Sequence, residues 1–171
     1  LEFRRVLFRS ILASKSTIRA TMLRNAGLPV LTIAAAIDER ALSAHLDAST
    51  DLGTETARHL AQEKALAVSR LHPDHFVIGA DQTLSLDNHL LHKPATFLEA
   101  KDQLKQLSGR THRLTSAAAL ARNGEIRFCD SDQASLAMRV LTDCEIMRYL
   151  EAVKDDVLTS VGAYQLEGLG I

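Results

Sequence analysis

Five charged residues lie at the ends of apolar runs or helical stripes, and together they could handle phosphate: Arg19, Glu39, Lys64, Asp81 and Lys93. Two carboxylates can hold a divalent cation and orient a water, while Lys and Arg neutralise phosphate oxygens. Taken singly, such charges are usually solvated. The chain holds no nucleophile elbow, H-E-x-x-H pair, P-loop or dinucleotide fingerprint. His72-x-x-His75 and His89-x-x-His92 sit among turn residues with no further ligand cluster, and read as surface histidines rather than metal ligands.

The elements that must carry these residues follow from hydrophobic spacing. Ile11 to Ser14 reads as a strand, and Ser16 can cap a helix that ends before Gly27. Pro29 to Ala36 is an apolar strand candidate, followed by a polar connection through Asp38, Glu39 and Arg40. Thr54 to Leu71 repeats Ala57, Leu60, Ala61, Ala65, Val68 and Leu71 at helical spacing. Lys64 falls on or beside that stripe, where it snorkels, pairs with an acid or points into a site.

Phe76 to Ala80 is a buried strand with Asp81 at its C-terminal end, where open α/β sheets commonly bind ligands. Thr83 to Leu86 and His89 to His92 form a small hairpin about Asp87-Asn88. Thr96 and Glu99 can box a helix ending at Gly109. Thr111 to Arg122 and Glu125 to Val140 pair as long strands across Asn123-Gly124, and Thr142 caps a last helix. The sum is an α/β chain whose sheet is not purely parallel.

Composition narrows the function classes. The 171 residues suit one domain or a compact two-lobed one, with 46% hydrophobic residues to build a core. A net charge of −1 and seven aromatic residues argue against nucleic acid as a partner. The longest uncharged apolar stretch near the middle, Leu28 to Ile37, is too short to cross a bilayer, so no membrane partner is expected. Isolated Cys129 and Cys144 fit a reducing cytoplasm. Residues 1–10, LEFRRVLFRS, read as a non-native leader, with residues 11–171 a single domain cut short at its C-terminus.

Eight segments sharpen this reading. They are residues 11–27, Ile37-Asp38-Glu39, Ala61 to Ala65, Gly79 to Thr83, Lys93-Pro94, Leu107 to His112, Gly162-Ala163-Tyr164 and Glu167 to Gly170. In this order and spacing the chain resembles the Maf-like nucleoside triphosphate pyrophosphatases. The resemblance implies a two-lobed α/β fold of the Maf/ITPase type, with a central mixed sheet flanked by helices and a cleft between the lobes. It implies hydrolysis of a nucleoside triphosphate to the monophosphate and pyrophosphate, as a house-cleaning hydrolase using Mg²⁺ or Mn²⁺.

By the same resemblance Asp81 is the proton acceptor, and Ser14, Arg19, Lys64 and Lys93 contact phosphates. Glu39 joins Asp81 on the metal. Ser16 also matches the opening motif, beside its role as a cap. Homodimers, common in that family, are open to the chain.

Three positions follow base preference in the family: Ile18, Gln82 and Glu167. The dTTP/UTP branch has Arg, Thr and Gln there, and the 7-methyl-GTP branch Trp, Gln and Glu. Gln82 and Glu167 match the second branch, and Ile18 matches neither. A Glu accepts hydrogen bonds from guanine donors and suits a cationic base, whereas the missing Trp removes a stacking surface. The expected substrate is therefore a modified nucleotide such as 7-methyl-GTP. The alternatives are a dTTP/UTP enzyme, or a nucleotide-binding regulator of septum formation.

Overall fold

The computed structural model describes residues 10–43, 51–165 and 168–169. Residues 1–9 of the expected leader and the specificity position Glu167 lie outside the described residues. The strands are β1 (Ser10–Leu12), β2 (Leu31–Thr32), β3 (Phe76–Leu86), β4 (His89–Leu91), β5 (Thr111–Arg122) and β6 (Glu125–Ala137). The helices are α1 (Thr17–Asn25), α2 (Glu39–Ser43), α3 (Leu52–Leu71), α4 (Phe97–Leu107) and α5 (Asp143–Val153). Strand order is β2-β1-β3-β5-β6, with β4 also on β3. β1 runs parallel to β2 and β3, and β4 runs antiparallel to β3, so the sheet is mixed. No described helix is long and apolar enough to cross a membrane.

The chain divides into two compact units. The first draws on Leu1–Ser49, Thr54–Gln82 and Ser116–Asp132, and the second on Thr50–Gly53, Thr83–Thr115 and Gln133–Ile171. In the first, Ala57, Ala61 and Ala65 of α3 pack with Ala117, Ala119 and Ala121 of β5. Methyl-sized side chains on both faces let helix and sheet approach closely. Ile11, Ala13, Val68 and Val77 close the core beside them. In the second, Leu84, Leu86, Leu104, Leu107, Ile146 and Leu150 form the main cluster. His112 and Tyr164 are buried there, with the histidine Nε2 2.6 Å from the phenol oxygen.

Local chemistry explains the element ends. Ser16 Oγ accepts from the Arg19 N–H at the start of α1, and Thr142 with Glu145 completes a capping box on α5. Those bonds, with the Arg139 guanidinium, hold the Glu145 carboxyl down at about 2. At α4, Thr96 Oγ1 accepts from the Glu99 N–H, but the Glu99 carboxylate takes the Ala95 N–H, so the box is not reciprocal. Asn123 and Gly124 both take positive φ, 53° and 72°, and turn β5 into β6.

Three expectations change. The apolar run Pro29 to Ala36 yields only a two-residue strand, because β1 leaves the sheet at the Ser14 turn and offers no longer partner. The polar connection through Glu39 contains a helix, since Asp38 Oδ1 accepts from the N–H groups of Arg40 and Ala41. The strand bearing Asp81 does not stop at Ala80. It runs on to Leu86, so Asp81 sits mid-strand.

Candidate active site

Period-2 alternation on β3 sets the site. Val77, Gly79, Asp81 and Thr83 are buried, while Gln82 between the last two is exposed. A Cβ on Gly79 would stand 2.0 Å from the Ala61 carbonyl oxygen and 2.6 Å from the Ala65 nitrogen, both on α3. The bare glycine therefore lets β3 press against α3 between these two alanines. Lys64 lies between them in the chain, and Asp81 is two residues beyond Gly79 on the same strand face.

Lys64 Nζ lies 2.5 Å from Asp81 Oδ1 and 2.9 Å from Glu39 Oε1. The Lys64 and Asp81 side chains are each 10% exposed, and that of Glu39 55%. One ammonium thus joins a buried carboxylate to a rim carboxylate. Burial pushes the Asp81 carboxyl above its ordinary value, and the Glu39 charge adds to that; Lys64 and Arg19 pull it back. Arg19 Nη1 donates to the Ala80 carbonyl at 2.9 Å, which ties α1 to β3 beside Asp81. Ser14 Oγ accepts from the Ser16 N–H at 3.1 Å and shapes the turn that leads into α1.

The structure brings Arg19, Glu39, Lys64 and Asp81 into one group within the first unit. Gln82 points to the other strand face and its amide nitrogen donates to Ser116 Oγ at 3.1 Å. Ile18 is exposed in the first turn of α1. Lys93 is exposed on the segment between β4 and α4, in the second unit.

Sequence reasoning placed Gly79 in a motif without reading its packing role, and missed the Ala80 carbonyl and Ser116. Gly79 carried a signal, because glycine inside an apolar strand marks close backbone approach. The Ala80 carbonyl and Ser116 act through hydrogen bonds across elements, which no local pattern displays.

A match to the Maf-like protein family spans residues 9–171. The chain belongs to the Maf-like family. This Maf-like chain is 50% identical to a nucleoside triphosphate pyrophosphatase of Bradyrhizobium diazoefficiens, over 94% of its own length and 79% of the relative's. It is 48% identical to a 7-methyl-GTP pyrophosphatase of Rhizobium meliloti and 46% identical to one of Brucella abortus. Each alignment covers 94% of this chain and 81% of the relative.

Glu39 and Asp81 offer two hard oxygen donors, both in contact with the Lys64 ammonium, and no group of three or more His, Cys, Asp or Glu suited to a metal occurs among the described residues. That donor set fits Mg²⁺ or Mn²⁺, which is commonly bound through one or two carboxylates and completed by substrate phosphates and water.

Proposed function

We propose that this Maf-like chain hydrolyses a nucleoside triphosphate between the α- and β-phosphates, releasing the monophosphate and pyrophosphate. The observation that carries the reading is the buried Asp81 carboxylate held against Lys64, with Glu39 and Arg19 beside it. A carboxyl raised by burial holds a proton better than an ordinary carboxylate, which suits a general base working near neutral pH.

In this reading Asp81 accepts a proton from a water as the water oxygen bonds to the α-phosphorus. The bond from that phosphorus to the bridging oxygen breaks, and its electron pair leaves with pyrophosphate. Arg19 and Lys64 hold the phosphates and offset charge that grows as the bond breaks, often the largest contribution to catalysis of this kind. Lys93 and Ser14 serve as further phosphate contacts. Glu39 and Asp81 would hold Mg²⁺ or Mn²⁺, which neutralises phosphate oxygens and polarises the phosphoryl group when bound.

Asp81→Asn keeps the shape and removes the base. Pyrophosphate release should fall by at least about a hundredfold, in line with the usual contribution of a general base. Turnover near that of the unaltered chain would remove Asp81 from this role.

For the base, we favour 7-methyl-GTP or a similar modified purine nucleotide. Gln82 and Glu167 support this, and relatives named for that substrate are 46% and 48% identical. Side-by-side turnover of 7-methyl-GTP, GTP, dTTP, UTP and CTP tests it. A clear preference for dTTP and UTP would point to the other branch.

A further inference from the structure

The carboxylates that fit a divalent cation are already bridged by a cation of the protein's own. Lys64 Nζ sits within 2.9 Å of oxygens on both Glu39 and Asp81, and this group of three carries one net negative charge. Two carboxylates held this close, one of them buried, repel each other unless a positive charge lies between them. A divalent ion on either oxygen would sit about 2.0–2.1 Å from it, which places it within about 5 Å of the ammonium. Two cations at that separation in a partly buried site oppose each other strongly. Lys64 must therefore leave the pair when such an ion arrives, and a buried ammonium that leaves one anion needs another. Triphosphate oxygens supply it.

We infer that Lys64 is the resident counter-ion of the Glu39–Asp81 pair in the free protein, and that the divalent cation is accepted together with a nucleotide rather than before it. The substrate is then the metal–nucleotide complex. Lys64 changes partner from carboxylate to phosphate as that complex enters. The role of the nucleotide rests on the pyrophosphatase reading, whereas the competition between Lys64 and a metal ion does not.

The test is binding of Mn²⁺ to the full chain, followed by the electron paramagnetic resonance signal of the free ion. It is run with and without the α,β-methylene analogue of 7-methyl-GTP, correcting for Mn²⁺ held by the analogue alone. Without nucleotide, Lys64→Met should bind Mn²⁺ at least about tenfold more tightly than the unaltered chain, because a charge a few ångströms from the ion is gone. Lys64→Arg keeps the charge and should stay weak. Glu39→Gln added to Lys64→Met should remove the gain. The analogue should tighten Mn²⁺ binding by the unaltered chain.

The inference fails if Lys64→Met binds Mn²⁺ no better than the unaltered chain. It fails equally if the unaltered chain binds Mn²⁺ as tightly without the analogue as with it, a comparison that stands even where Lys64→Met does not fold. Absence of pyrophosphate release by the unaltered chain would instead end the pyrophosphatase reading, and leave the nucleotide-free Mn²⁺ comparison intact.

Discussion

Asp81 feels two opposing influences, and Lys64 is the larger of those that favour its charged form. Burial outweighs it, so the carboxyl titrates above its ordinary value of 3.8. In the proposed role as base, Asp81 works only when deprotonated. Activity should therefore rise with pH through the raised value, and the acid limb of kcat/KM should lie above the ordinary carboxylate range. Lys64→Met removes the attraction that lowers the value. In the metal-free protein the Asp81 carboxyl of that variant should titrate at still higher pH, read by carbon-13 NMR of labelled aspartate side chains. A titration that stays in place would mean that Lys64 does not control Asp81. The same shift has a consequence for folding. The native state keeps the Asp81 proton at pH values where the unfolded chain has lost it, so this group costs stability as pH rises through that window.

The site depends on one close contact between a helix and a strand. Gly79→Ala would set a methyl group against the backbone of Ala61 and Ala65. Neither can yield without moving α3, so the variant should lose about 1–3 kcal/mol or more, as overpacked cores do. Denaturant unfolding would measure it, and turnover should fall with it because Lys64 rides on α3. At this scale the sequence was legible wherever a signal was local. The Ser16 and Thr142 caps, the alanine stripe of α3 and the Asn123-Gly124 turn all stand where residue type and spacing put them. The length of β2 was not legible, since an apolar run reveals nothing of how many residues its neighbour can pair. Asp38 could have revealed α2, being a good cap directly before Glu39. Arg19, Glu39, Lys64 and Asp81 were singled out together in the sequence, as one candidate phosphate site. The direct contact of Lys64 with both carboxylates was not visible, because it depends on how tightly separate elements pack.

For the molecule as a whole, stability and chemical lifetime depend on buried polar groups far along the chain from Asp81. Burial lowers the His112 pKa from its ordinary 6.5, and the ring's Nδ1 is buried with no hydrogen-bond partner among the described residues. Its Nε2 meets the Tyr164 hydroxyl, whose own pKa is pushed up to about 12 by burial. As pH falls below 6.5 the unfolded chain takes up a proton that the native state refuses, so stability should drop until the lowered native value is passed. Unfolding midpoints at mildly alkaline and mildly acidic pH should show that slope, and His112→Gln should flatten it. At the β5–β6 turn, the Gly124 N–H is held at 3.1 Å by the buried Ser69 Oγ. An asparagine followed by glycine ages when that backbone nitrogen attacks the asparagine side chain, closing a ring that later opens to an acid. The serine keeps the nitrogen occupied and restrains the turn, and so acts as a brake on a chemical clock. Ser69→Ala should release it, and stored protein should then gain acidic charge variants at Asn123 faster than the unaltered chain.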